Sequence, residues 1–376
     1  MTFAIWAAAA FCGTTTLIHI VSVFVAIARC RPRPHSLPAR EMPPVTIIRP
    51  VCGIDNFIED TLRSSFELHY PEYEIIFCVA QPRDPVTAVV RALIAAYPAR
   101  RARLLVGDER VSANPKLNNC VKGWSAAAHE WIVIADSNVM MPRDYIQRLL
   151  AAWRPDSGLV CSPPIGSRPG NFWAELECVF LNAYQARWQY FADALGNGFA
   201  QGKTMLWRRA DLDRAGGIRA LGAEAAEDAA STKLVRAMGL DVHLVDAPFA
   251  QPLGRRRLRD VWSRQARWAR LRRASFPGLF LPELLAGALL PLLAMAILAR
   301  LSDWPVAAAV LALAALWYGG EMALARAAQW HLSALYPVHA ILRDLMLPLL
   351  WLDGLVGSEF VWRGNAMSVA ESGRSP

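Results

Sequence analysis

No charged side chain occurs between residues 3 and 28, and no basic residue precedes them. The seven cysteines (Cys12, Cys30, Cys52, Cys78, Cys120, Cys161 and Cys178) contain no CxxC pair and no His/Cys group at zinc-ligand spacing. That excludes a zinc module or a dithiol redox motif, and leaves small buried hydrophobes in a reducing compartment. Internal repeats and low-complexity tracts are also missing, which argues against a solenoid or a disordered chain.

What is present is apolar. Of 376 residues 54% are hydrophobic and 14 are tryptophan, more than an ordinary soluble enzyme carries. The uncharged run at 3–28 is long enough, as a helix, to cross a hydrocarbon core of about 30 Å. A cleaved signal peptide is the rival reading, but such peptides carry a basic leader and a shorter apolar stretch. Arg29, Arg31, Arg33 and Arg40 follow the run, so the positive-inside rule predicts a cytoplasmic location for what comes next. Near the other end, 279–299 and 306–320 predict a hairpin turning around Asp303 and Pro305. A third run, 335–357, contains Arg343 and Asp344 and either spans or lies in the interface. The net charge of +8 owes much to nine arginines in 254–277, beside the first of these runs. Such a cluster reads as a positive-inside determinant that attracts anionic lipid, so no nucleic-acid partner is expected.

Between the apolar ends the grammar changes to alternating strands and helices. "VTIIRPV" (45–51), "YEIIFCVA" (73–80), "ARLLV" (102–106) and "WIVIA" (131–135) read as strands. The stretches 56–68, 85–98 and 115–130 read as helices, the first with Asn56 and Glu59 at capping-box spacing. This alternation predicts an α/β domain with a mainly parallel sheet built from βαβ units. Ligands of such sheets sit beyond the carboxyl ends of the strands, where this sequence places Asp84 and Asp136. Glu227 and Asp228 open a further helix-like stretch. A helix beginning near Arg257 would carry Arg264, Arg267 and Trp268 on one face, two planar donor forks suited to a diphosphate beside an indole.

In order and spacing, Asp84, Asp136-Ser137-Asn138, Glu227-Asp228 and Arg264-Gln265-Ala266-Arg267-Trp268 resemble the D…D…D…(Q/R)xxRW signature of the ceramide glucosyltransferases. "NPKLNN" (114–119), "ELHYPEYEIIFCV" (67–79) and "AGGIRALGAEAAED" (215–228) also look like that family, and the likeness covers almost the whole chain. The resemblance implies a membrane-anchored, inverting glycosyltransferase with a Rossmann-like GT-A domain, one amino-terminal and two to three carboxyl-terminal transmembrane helices. With the hydropathy it predicts a domain over 40–277 between an anchor (1–30), terminal membrane helices (278–360) and a tail (361–376), with the catalytic part facing the cytoplasm, and the Ala- and Arg-rich composition points to a bacterial inner membrane.

The same resemblance implies UDP-glucose or another UDP-hexose as donor, a ceramide hydroxyl as acceptor, and Mg2+ or Mn2+ as cofactor. Asp136, with Asn138, would hold the metal and donor phosphate, as a cation bound through carboxylate can act as a Lewis acid on the leaving group. Asn138 stands where many GT-A sites have a second acid, so the pair brings one charge fewer. Asp84, Lys116, Asn118 and Asn119 would help bind the nucleotide, the last three having helix capping as their alternative. Asp228 would be the general base, with Glu227 as an alternative base or an orienting group. Arg264 and Arg267 would neutralise the leaving UDP, with Trp268 walling a sugar site. The aromatic stretch 171–196 fits either an interfacial helix that admits the lipid or an ordinary amphipathic core helix. The Ala- and Arg-rich composition keeps a hopanoid acceptor open. A processive polysaccharide synthase shares the arginine motif but needs more membrane helices. A non-catalytic scaffold that kept the fold is the alternative from outside enzymology.

Overall fold

The computed structural model describes residues 2–31, 42–362 and 365–368. Arg33 and Arg40, and much of the expected tail at 361–376, lie outside the described residues. The chain forms two compact units. One comprises Met1–Arg31, Pro169–Phe191 and Arg255–Gly357; the other comprises Pro32–Arg168, Ala192–Gly254 and Ser358–Pro376. The segments 169–191 and 255–277, expected inside the sheet domain, therefore group with the apolar helices.

The second unit is built on strands β1 (Val45–Val51), β2 (Tyr73–Val79), β3 (Ala102–Val106), β4 (Trp131–Ala135), β5 (Ser157–Cys161), β6 (Ile165–Pro169), β7 (Thr204–Arg208), β8 (Asp241–Leu244) and β9 (Ala250–Gly254). Seven of them form one sheet in the order β3-β2-β1-β4-β7-β5-β8, and β6 pairs with β9 separately. β1, β2, β3 and β4 are parallel, whereas β7 runs antiparallel to both β4 and β5. Every residue of β1 and β2 is buried, as continuous apolar runs require when both sheet faces are covered. Ile47, Ile75, Phe77, Val133 and Leu206 meet in the core on one face. On the other, the helix Pro115–Ala126 approaches so closely that a Cβ at Gly123 would lie 2.8 Å from Cys78 Sγ.

The predicted capping box at Asn56 does not form. The helix starts later, at Ile58–Arg63, with Phe57 as its cap in a left-handed conformation, φ 58°. Asn56 instead donates from Nδ2 to the carbonyl of Leu253 at 2.8 Å, a tertiary partner that outbids the local cap.

In the first unit, Thr2–Cys30 and Val306–Ala327 are long and apolar enough to cross a membrane, and a third candidate is the pair Pro277–Leu285 and Leu289–Leu301, bent by 44°. The run with two internal charges is one helix, Tyr336–Val356. Its Arg343 is fully buried and holds Glu321 through two bonds, of 2.9 and 3.1 Å, and Asp344 at 2.9 Å. The aromatic stretch forms Phe172–Val179, a π-helical turn at Phe180–Ala186, and Arg187–Ala194. Phe180, Tyr184 and Tyr190 are buried, whereas Phe172, Trp173, Trp188 and Phe191 are half-exposed, so the stretch shares its rings between the core and a partly exposed face.

Candidate active site

β4 ends at Ala135, immediately before one of the expected site acids. Asp136 follows Ala135, and its N–H donates to the carbonyl of Lys203 at 3.0 Å. Arg49, buried in β1, fixes this loop from beneath: its guanidinium donates to the carbonyls of Asp136 (2.8 Å), Val139 (3.0 Å) and Thr61 (2.8 Å). Strand end and loop are thus one rigid support, built from backbone acceptors that a buried cation satisfies.

Above it the side chains form a chain of alternating charge. Lys116 Nζ lies 2.6 Å from Asp136 Oδ1 and 2.6 Å from Glu227 Oε1, and also donates to the carbonyl of Gly202. Lys203 Nζ lies 2.8 Å from Asp136 Oδ2 and 3.3 Å from Asn138 Oδ1. Glu227 accepts in addition from Asn114 Nδ2 at 2.6 Å. Asp228, half-buried at the first turn of Glu227–Ala237, accepts from the N–H groups of Gly202 (3.0 Å) and Ala229 (2.9 Å). Glycine at 202 lets these side chains close on the backbone, since a Cβ would lie 2.7 Å from Glu227 Oε1 and 3.2 Å from Lys116 Nζ and displace them.

The electrostatics separate Asp136 from Asp228. Burial alone would raise the Asp136 carboxyl, but Lys116 and Lys203 outweigh it and hold this group far below the usual carboxylate range. Burial also works against the Lys116 ammonium, yet Asp136 and Glu227 keep it charged. Asp228 goes the other way: burial, then the neighbouring Glu227, push it up to about 6 against the pull of the Gly202 N–H and Lys116. One acid is therefore a fixed anion, and the other is poised to take a proton near neutral pH.

Other expected residues are committed to the fold. Asp84 accepts from Gly53 N–H through both oxygens, at 3.0 Å each, and from Val86 N–H at 2.9 Å, tying the ends of β1 and β2 together. Asn118 and Asn119 neither cap their helix nor present open polar atoms. The cap is Asn114, which accepts from Lys116 N–H and Leu117 N–H. Asn118 Oδ1 accepts from the N–H groups of Val111 and Ser112, and Asn119 donates to the Cys78 carbonyl at 2.6 Å. These amides shape the loop and the sheet around the site. In the other unit, the helix Leu258–Ser275 carries Arg264, Arg267 and Trp268, with Arg257 and Asp260 forming the capping box at its start. Arg264 Nη1 lies 2.5 Å from Glu177, an acid only 1% exposed, so it is not simple surface charge.

The atoms expected to hold a divalent cation do not form a cation cage. Both oxygens of Asp136 face ammonium groups, and the Asn138 amide oxygen faces one as well. Among the described residues, the acids and histidine whose ligand atoms could together hold a metal ion are Asp156, Asp241 and His243, at the β5–β8 side of the sheet. Lys203, Gly202 and Arg49 had no signal in local spacing; β7 delivers the first two, and only the sheet topology brings them to Asp136.

The mainly parallel sheet, with its charged groups gathered past the end of β4, is a GT-A-like fold. In overall structure the chain is similar to a mannosyltransferase from Pyrobaculum calidifontis solved with GDP-Man and Mn2+, with a TM-score of 0.52 and 20% identity over 90% of this chain and 99% of that one. Residues 14–375 match glycosyl transferase family 21, and the chain belongs to that family. It is 28% identical over 275 residues to ceramide glucosyltransferase 1 of Caenorhabditis elegans, which covers 73% of this chain and 59% of the relative. A second relative, the ceramide glucosyltransferase of Komagataella phaffii, is 43% identical over 112 residues, 29% of this chain and 22% of the relative. The chain thus spans less than three fifths of the length of the curated relatives it matches over most of its own length.

Proposed function

We propose that the protein is a membrane-bound hexosyltransferase that moves glucose, or a closely related hexose, from a UDP-sugar to the hydroxyl of ceramide with inversion. The observation that carries this reading is the gathering of Asp136, Lys116 and Glu227 past the end of β4, with Asp228 beside them on the Gly202 N–H. In the reaction the acceptor oxygen bonds to the anomeric carbon as the bond to the UDP oxygen breaks, and the hydroxyl proton passes to Asp228. Glu227, held by Lys116 and Asn114, orients the base rather than replacing it. Asp84 supports the nucleotide through the loops it joins. The family motif gives Arg264 and Arg267 the departing diphosphate and Trp268 a sugar wall. The apolar helices anchor the chain in the membrane that supplies the lipid, and Arg29 and Arg31 orient the sheet unit toward the cytoplasm.

The test is transfer of radiolabelled sugar from UDP-glucose, UDP-galactose, UDP-glucuronate and UDP-N-acetylglucosamine to ceramide and to a hopanoid. Glucose on ceramide is the expected result. Transfer to the hopanoid alone keeps the chemistry and changes the acceptor. No transfer from any donor, together with no binding of UDP, sinks the enzyme reading in favour of a scaffold.

The pH profile follows from Asp228. A base must be ionised to accept a proton, so activity is lost as pH falls through the raised value of about 6. The logarithm of kcat/KM should climb with about unit slope below that pH and flatten above it. A profile flat down to pH 4 would remove Asp228 from the base role.

A further inference from the structure

We propose that Lys203 is the cation that meets the donor's diphosphate, and that the protein binds its nucleotide donor without a divalent metal ion. This deepens the glycosyltransferase reading and rests on it.

The sheet itself puts Lys203 in place. β7 runs antiparallel to β4 with Thr204 opposite Ala135, so the residue before β7 faces the residue after β4. That juxtaposition is Lys203 against Asp136, sealed by the backbone bond between them and by the 2.8 Å contact of their side chains. Asn138 completes the brace at 3.3 Å. A parallel strand in the position of β7 would have placed its first residue at the opposite end of the sheet, away from Asp136.

The two lysines differ in their freedom to act. Lys116 is enclosed by Asp136, Glu227 and the Gly202 carbonyl, and its side chain is only 8% exposed. Lys203 is the more open of the two, at 17%, on a half-exposed carboxylate. Lys116 therefore serves as the internal counterion that keeps Asp136 and Glu227 together. Lys203 can turn its ammonium to a phosphate oxygen while its stem stays on the strand, in the way a lysine serves phosphate as a point charge.

The same geometry opposes a metal ion. A divalent cation on Asp136 would sit within roughly 4 Å of two ammonium groups, whose like charge repels it strongly at such short range. The cation would have to expel both lysines from partners at 2.6 and 2.8 Å. Asn138, neutral where a second carboxylate would help to hold the ion, adds an oxygen but no charge. Lysine charge thus occupies the position that a metal takes when two carboxylates line the strand end.

Calorimetric titration of UDP and of UMP into the full-length protein in detergent tests this, first in EDTA and then with Mn2+. UDP is expected to bind in EDTA, with an affinity that Mn2+ changes by less than about threefold. Lys203→Met is expected to weaken UDP by about tenfold or more and UMP by less than about threefold, whereas Lys203→Arg keeps the charge and stays near wild type. UDP binding that requires Mn2+ overturns the inference while leaving the donor reading intact. Equal losses for UDP and UMP, or none, in Lys203→Met overturn the role of Lys203. No binding of UDP under either condition overturns the donor reading itself and this inference with it. The wild-type titration in EDTA needs no variant, so a Lys203→Met protein that fails to fold does not spare the proposal.

Discussion

Asp228→Asn lowers sugar transfer by about a thousandfold and leaves UDP affinity within about threefold of wild type, the effect of removing a general base without removing a nucleotide ligand. The amide retains the shape of the carboxyl and one oxygen, which can keep the Gly202 N–H at 3.0 Å while the Ala229 N–H at 2.9 Å loses its acceptor. What disappears is the ability to take the acceptor's proton. The variant should also melt at or above the wild-type temperature at pH 8. The folded-state pKa of Asp228 is raised above its unfolded value, so stability is lost as pH rises from the ordinary carboxylate range through about 6 and the whole cost stands at pH 8; the neutral amide does not carry it, which offsets the lost Ala229 acceptor. Glu227→Gln should behave differently. Glu227 neutralises Lys116 at 2.6 Å and accepts from Asn114, and its loss leaves an enclosed ammonium with one carboxylate fewer. Weakened donor binding and a lower melting point are its expected signature. If Glu227→Gln abolished turnover with donor binding intact while Asp228→Asn remained active, the two roles would have to be exchanged.

The contrast between these two acids also shows what local sequence can and cannot reveal. β1, β3 and β4 span the residues their runs predict, β1 and β4 because a strand covered on both faces is mainly apolar, with Arg49 the buried charged exception, and β3 as a partly exposed edge strand. Asp136 was legible for the same reason. Lys203 was not: it stands 67 residues from Asp136, and only the pairing of β7 with β4 brings them together. Nothing in "QGKTMLWRR" distinguishes an antiparallel insertion from another parallel strand. Asn118 and Asn119 misled for a related reason. An amide has the same letters whether it faces a ligand or a backbone carbonyl, and here the loop at Val111–Ser112 and the Cys78 carbonyl claim them. The aromatic stretch after Asn171 had the composition of a membrane-surface helix, but Phe180, Tyr184 and Tyr190 are buried and serve packing, while Phe172, Trp173, Trp188 and Phe191 stay half-exposed.

Arg343→Met destabilises the protein by about 3–5 kcal/mol, the cost of leaving buried charges without their partner. Arg343 is fully enclosed, as is Glu321, and Asp344 is 3% exposed. One guanidinium serves both carboxylates, at 2.9 and 3.1 Å to Glu321 and 2.9 Å to Asp344. Tyr318 and the N–H of Ala288 add bonds to Asp344, at 3.0 and 3.2 Å, and these neutral donors cannot replace the lost charge. Because Glu321 belongs to one of the candidate spans, the ion pair ties that helix to Tyr336–Val356, and its loss should loosen both. Thermal unfolding in detergent is the measurement, read beside the double variant Arg343→Met with Glu321→Gln. Neutralising the orphaned glutamate should recover part of the loss, since a buried pair replaced on both sides is far less costly than one broken on a single side. A change in unfolding free energy below about 1 kcal/mol for Arg343→Met would place these groups in contact with water, as surface pairs are of that order. The expectation that charged residues inside an apolar run must face protein or solvent would then be met by solvent, and the helix at 336–356 would be surface-lying rather than packed.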